Sequence, residues 1–89
     1  MASWPHKDPD ETLDYLIDWT ARLDGDNIIE VEWVVPAGIV HGAASNTTKT
    51  STLWLSGGTG GVVYSITGRV TTAAGRTMDQ SVMILVAPK

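Results

Sequence analysis

What most constrains this chain is a period-two rhythm of apolar and polar residues, cut into short runs by glycine, proline, asparagine and aspartate. Ile28 to Val35 shows it best: Ile29, Val31, Trp33 and Val35 fall on one side, Glu30 and Glu32 on the other. Pro36 has no N–H to give a sheet ladder and Gly38 loosens the chain behind it, so this strand ends there. Residues 13 to 19 alternate in the same way, with Leu13, Tyr15, Ile17 and Trp19 opposed to Asp14, Leu16 and Asp18. Leu13, Leu16, Ile17 and Thr20 also fit helical spacing. The aromatic and β-branched content decides for a strand, followed by a helical turn around Thr20 to Leu23. Asp24-Gly25-Asp26-Asn27 is then a turn.

The remaining chain repeats the pattern. Ile39 to Ala43 is expected to form a short strand before a polar loop, Ser45 to Lys49. Thr50 to Leu55 follows, with Trp54 in one phase and Leu53 and Leu55 in the other. Ser56 to Gly61 holds four glycines in six residues and must turn. A long hairpin closes the chain: Val62, Tyr64, Ile66, Gly68, Val70 and Thr72 run out in one phase and Ala73 to Arg76 turns. Met78, Gln80, Val82, Ile84 and Val86 run back, with Met83 and Leu85 making the last strand apolar on both faces. Six or seven such strands predict an all-β fold, a β-sandwich. Its length of 89 residues allows one core. Residues 1–12, with Pro5 and Pro9, are expected to form an extended N-terminal arm, and residues 13–89 the sandwich.

The charges are unevenly spread. Residues 1 to 32 hold nine of the ten acids against Lys7 and Arg22, a balance of −7, while Lys49, Arg69, Arg76 and Lys89 against Asp79 give the remainder +3, which sums to −4. A net acidic chain lacks the electrostatic footprint of a nucleic-acid binder. There is no cysteine, hence no disulfide, thiolate metal site or cysteine nucleophile. The first twenty residues carry acids instead of a basic stretch and an apolar run, and no run approaches a membrane span, so neither a secretory signal nor a membrane partner is expected.

Candidates for chemistry are weak. An EF-hand loop begun at Asp24 would need Gly at its sixth position and Glu at its twelfth, where Ile29 and Val35 stand. No metal site is expected. The glycine loop leads into Val62-Val63-Tyr64, a strand, whereas phosphate loops lead into a helix, so no cofactor is expected either. His6 and His41 are far apart, and no serine sits in a nucleophile elbow. The chain therefore reads as a non-enzyme.

That leaves four tryptophans and no phenylalanine. Trp19, Trp33 and Trp54 stand in strand patterns and are expected in the core. Trp4 lies on the charged arm and is expected to anchor in a partner's pocket. With it, Asp8, Asp10 and Glu11 of the arm and Arg69, Arg76 and Lys89 of the last third are the candidate interface residues.

The run Lys7-Asp8-Pro9-Asp10-Glu11 precedes Leu13-Asp14-Tyr15 and Asp18-Trp19. Leu23, Gly25-Asp26 and Ile28 follow, then Trp33 with Val35-Pro36-Ala37-Gly38. Trp54-Leu55-Ser56-Gly57-Gly58-Thr59, Tyr64 and Arg69 to Thr77 complete the series. In order and spacing this resembles the small phage fiber-tail adaptor proteins, over roughly residues 7 to 86. Gly68 departs from the pattern, where Asn is expected, and Met78 and Gln80 stand where the last strand is usually more charged. The resemblance implies an immunoglobulin-like β-sandwich with Tyr64 as its tyrosine corner, built into a virion. It implies an adaptor or connector at the neck or tail, made in the bacterial host cytoplasm and joined to other virion proteins in several copies. A capsid decoration subunit and a carbohydrate-binding module are the alternatives.

Overall fold

The computed structural model describes residues 2–87. Seven strands and one helical turn follow in order: β1 (Ala2–Ser3), β2 (Leu13–Asp18), α1 (Thr20–Leu23), β3 (Ile28–Val34), β4 (Ile39–Asn46), β5 (Thr50–Gly57), β6 (Val62–Thr72) and β7 (Thr77–Val86). They form two sheets, ordered β1-β7-β6-β3 and β2-β5-β4. Every pairing between strands is antiparallel except that of β1 with β7. The chain is an all-β sandwich.

The period-two pattern explains the layers. Tyr15 and Ile17 of β2, Leu53 and Leu55 of β5, Tyr64, Ile66 and Val70 of β6, and Val82, Ile84 and Val86 of β7 are all buried between the sheets. At one end of this layer Trp19, Leu23 and Ile28 join Ile17, Val70 and Val82. Trp19 is fully buried, and its indole N–H donates to the Ser51 hydroxyl at 2.9 Å, so its polar edge is satisfied inside the core. At the other end the Thr59 N–H donates to the Tyr64 hydroxyl at 3.0 Å, and that hydroxyl donates to the Gly38 carbonyl at 3.4 Å. Tyr64 thereby holds the β5–β6 turn and the start of β4 together.

Local departures from the expected strands have identifiable causes. Ile29 was expected on the inner face with Val31 and Trp33, yet a bulge between Ile28 and Glu30 shifts the register. The extra residue puts Ile28 inside, opposite Thr72, and leaves Ile29 65% exposed. β4 runs on to Asn46, three residues past the expected Ala43, so the polar loop shrinks to a turn in which the Thr47 N–H donates to the Thr50 carbonyl at 2.9 Å. Trp54 is not core: it faces outward from β5, 41% exposed, while Leu53 and Leu55 are fully buried.

Gly68 faces inward on β6 directly opposite Trp33. A Cβ at this position would come within 3.1 Å of the Trp33 ring and 3.2 Å of Ile17 Cδ1. An Asn there would meet the same atoms, which gives the departure at this position a packing reason. Gly68→Ala is expected to lower the unfolding free energy by about 1–3 kcal/mol through overpacking, read from denaturant melts, while Trp33→Leu in the same background should recover part of the loss.

Candidate assembly interface

The arm is extended, as its two prolines favour, and it lies along its own domain. Ala2 and Ser3 pair in parallel with Val82 and Met83 of β7. The Trp4 N–H continues this ladder to the Met83 carbonyl at 2.9 Å, and the Lys7 N–H to the Leu85 carbonyl at 3.1 Å, with the Ala87 N–H returning to the Lys7 carbonyl at 2.8 Å. Residues 2 to 7 thus cover the edge of β7. Trp4 stacks on Tyr15 with ring centroids 5.0 Å apart, lies 6.4 Å from the Trp33 ring, and donates its indole N–H to the Leu16 carbonyl at 3.1 Å. Tyr15 and the edge of β2 thus take the Trp4 ring and its donor within the chain. Burial among Trp4 and its neighbours pushes the Tyr15 hydroxyl up from its ordinary pKa, with Glu11 and Asp14 adding to the rise.

Lys7 is fully buried. While its backbone sits on β7, its ammonium donates to the Asp8 carbonyl at 2.8 Å and to the Gly57 carbonyl at 2.6 Å, at the end of β5. One residue therefore ties the arm to both sheets. The acids that follow are arranged around a tight turn: the Asp8 N–H donates to Glu11 Oε1, the Glu11 N–H to the Asp8 carbonyl, and the Asp10 N–H to Asp8 Oδ1. Asp8, Asp10 and Glu11 are gathered together by that turn.

Arg69 and Arg76, named above as candidate interface residues, have partners within the chain. The Arg69 guanidinium grips Asp79 across the β6–β7 ladder at 2.8 and 3.2 Å. Arg76 donates to Asp26 Oδ2 at 3.0 and 3.2 Å and to the Leu23 carbonyl. An intersubunit contact to either arginine would share its guanidinium with these partners. Lys89 lies outside the described residues.

Asp26 is the hub of the turns at that end. Its side chain is 8% exposed and also accepts from the Asn27 and Ala74 N–H groups at 2.8 and 3.1 Å. The Thr72 hydroxyl, followed by the Asn27 N–H, the Arg76 guanidinium and the Ala74 N–H, draws its carboxyl down to about 2, against an opposing rise from burial. Hydrogen bonds from Arg69 likewise lower Asp79, and those from Thr20 lower Asp18.

A cleft of about 350 Å³ opens beside the arm, lined by Ser3, Trp4, Leu16, Ile17, Asp18, Arg22, Gln80 and Val82. Arg22 closes one side by donating to the Asp79 carbonyl at 2.6 Å and the Gln80 side chain at 3.2 Å, with its guanidinium 5.3 Å from the centre of the Trp19 ring. The lining brings no histidine or nucleophile–base pair together. Among the described residues, no three His, Asp or Glu side chains stand close enough to hold a metal ion, and no helix is long and apolar enough to cross a membrane.

Sequence reasoning missed the outer face of the β2-β5-β4 sheet. Leu16, Trp54 and Val40 stand there 50%, 41% and 59% exposed. Register puts them on one face: Asp14 pairs with Trp54, Leu16 with Thr52, and Val40 with Ser56. Leu16 and Val40 are thus the diagonal neighbours of Trp54, close enough to share contact with an indole ring. The phase of Trp54, opposite to Leu53 and Leu55, is the signal that identifies it as outward.

The family model for the Podophage GP4 fiber-tail adaptor protein gp77 matches residues 7–85. The chain belongs to that family. No curated protein matches it. The fiber-tail adaptor match begins at Lys7, which locks the sheets together, and ends within β7, so it covers β2 to β6 whole and all of β7 but its last residue. The family is one of structural phage adaptors.

Two outcomes follow for this adaptor. Deleting residues 1 to 7 is expected to lower the unfolding free energy by roughly 3 kcal/mol or more, because several backbone hydrogen bonds and the Trp4 contacts go together. Asp26 contributes stability above its ordinary value of 3.8 that is lost as pH falls toward its folded value of about 2. Thermal midpoints of Asp26→Asn should accordingly vary less with pH than wild type in that acid window.

Proposed function

We propose that this protein is a virion structural subunit at the tail, an adaptor that joins fiber or neck components by protein–protein contact and carries out no reaction. The observation that carries this reading is the adaptor-family match across residues 7–85. It is supported by a sandwich whose two histidines are exposed and which also exposes several large apolar side chains, Trp54, Leu16 and Val40 among them.

Strand order adds to it. Lettering β1 to β7 as A to G gives sheets A-G-F-C and B-E-D. That is the seven-strand immunoglobulin arrangement with its first strand moved to the other sheet, and Tyr64 on strand F makes the upstream backbone contact of a tyrosine corner. We read the domain as immunoglobulin-like on this basis. In the virion several copies are seated on a common scaffold, so that a small contact per copy is repeated and strengthened. A carbohydrate platform would need several rings on one solvent face. Among the described aromatic side chains only Trp54 is exposed, which argues against that alternative.

The test is fractionation of particles from a phage or induced prophage carrying the gene. The protein is expected in the tail fraction, and particles made with the gene disrupted are expected to lack fibers. Recovery with empty heads would return the capsid-decoration reading.

A further inference from the structure

We propose that the outer face of the β2-β5-β4 sheet, centred on Trp54, is the surface on which this subunit docks to a different tail protein, one whose contact patch is apolar at its centre and rimmed by Lys or Arg. The proposal rests on the adaptor reading and names the interface and partner chemistry for it. Trp54, Leu16 and Val40 form one diagonal row across the three strands. Gly42 lies beside the base of the Trp54 side chain and sets no side chain against it: a Cβ there would stand 3.8 Å from Trp54 Cβ. A half-exposed indole flanked by two aliphatic side chains is the kind of anchor on which interface energy concentrates.

Charge decides the occupant. β2, β4 and β5 contain neither Lys nor Arg, and their acids Asp14 and Asp18 share the outward phase with Leu16, both exposed. The face is therefore acidic beside its apolar row. The other sheet offers no complement: its strands carry Glu30, Glu32 and Asp79 against Arg69 alone, a balance of −2, and Arg69 is engaged by Asp79. The basic side chains elsewhere among the described residues are also held, Lys7 in the core, Arg22 on β7, Lys49 on the Asp26 carbonyl and Arg76 on Asp26. A second copy brought against this face by either sheet would bring like charge with it, whereas a basic-rimmed partner would be oriented by it.

The experiment uses purified tails from phage with the gene disrupted, to which purified wild-type protein, Trp54→Ser, or Asp14→Lys is added. Bound copies per tail are measured by quantitative mass spectrometry. Both variants should keep the wild-type thermal midpoint, since the changes are on the outer face. Each is expected to lower retention by roughly tenfold or more, with wild-type retention itself falling at high salt. Ile29→Ser, a change at the more exposed β3 bulge, serves as the control and should bind normally. Retention of Trp54→Ser at wild-type level would overturn the proposal, as would a wild-type dimer in sedimentation that Trp54→Ser abolishes. If wild-type protein itself fails to join tails, the adaptor reading fails first.

Discussion

The two sheets share a single apolar layer, and everything else in the structure follows from how little room that layer has. Each strand owns one inward face, so a chain this short fills the layer with side chains of alternate residues and has nowhere further to bury the rest. The space is tight enough that Gly68 must lack a side chain for the Trp33 ring to lie over β6. Trp19 is admitted only because Ser51 takes its indole N–H. Apolar side chains in the opposite phase, Trp54 and Leu16 first among them, are forced onto the outside by strand geometry itself. Their exposure is a consequence of register, and it gives the molecule an adhesive face without any special loop.

The same economy governs the arm. A sandwich with free sheet edges risks pairing indiscriminately with other strands, and short covering segments are one remedy. Residues 2 to 7 supply it at β7, and Lys7 adds a second attachment at β5, so the segment closes the gap between sheets on that side. Burying a lysine is tolerable only where its N–H groups find acceptors, here two backbone carbonyls. The arm thus holds the fold together, and the outer sheet face is left open.

Strand positions, turns, the terminal hairpin and the helical turn at Thr20 were legible in the sequence because each rests on local phase and turn chemistry. What was not legible depends on contacts distant in sequence. The bulge that turns Ile29 outward is a register event between β3 and β6, invisible in the alternation of Ile28 to Val35 alone. Proline and charge in residues 1–12 suggest an extended segment but reveal neither the turn at Asp8 to Glu11 nor the strand that residues 2 to 7 lie on. Trp54 was misplaced for a different reason: its phase was plain, and the size of its side chain was allowed to outweigh it.

The uneven charge of the sequence also changes meaning once folded. Counted along the chain, the acids of the first 32 residues and the bases of the last third look like two halves of an intersubunit contact. In space Asp26 has reached Arg76, and Asp79 holds Arg69, so the bases are consumed at home. Two of the six basic side chains are thus ion-paired and three more, Lys7, Arg22 and Lys49, donate to backbone carbonyls within the chain, while Asp14 and Asp18 remain on an open sheet face. An acidic excess that is exposed, paired with apolar area that is also exposed, is a poor design for self-assembly and a good one for recognising something basic. On the proposed reading, the charge of the chain therefore favours a basic partner over a second copy of itself.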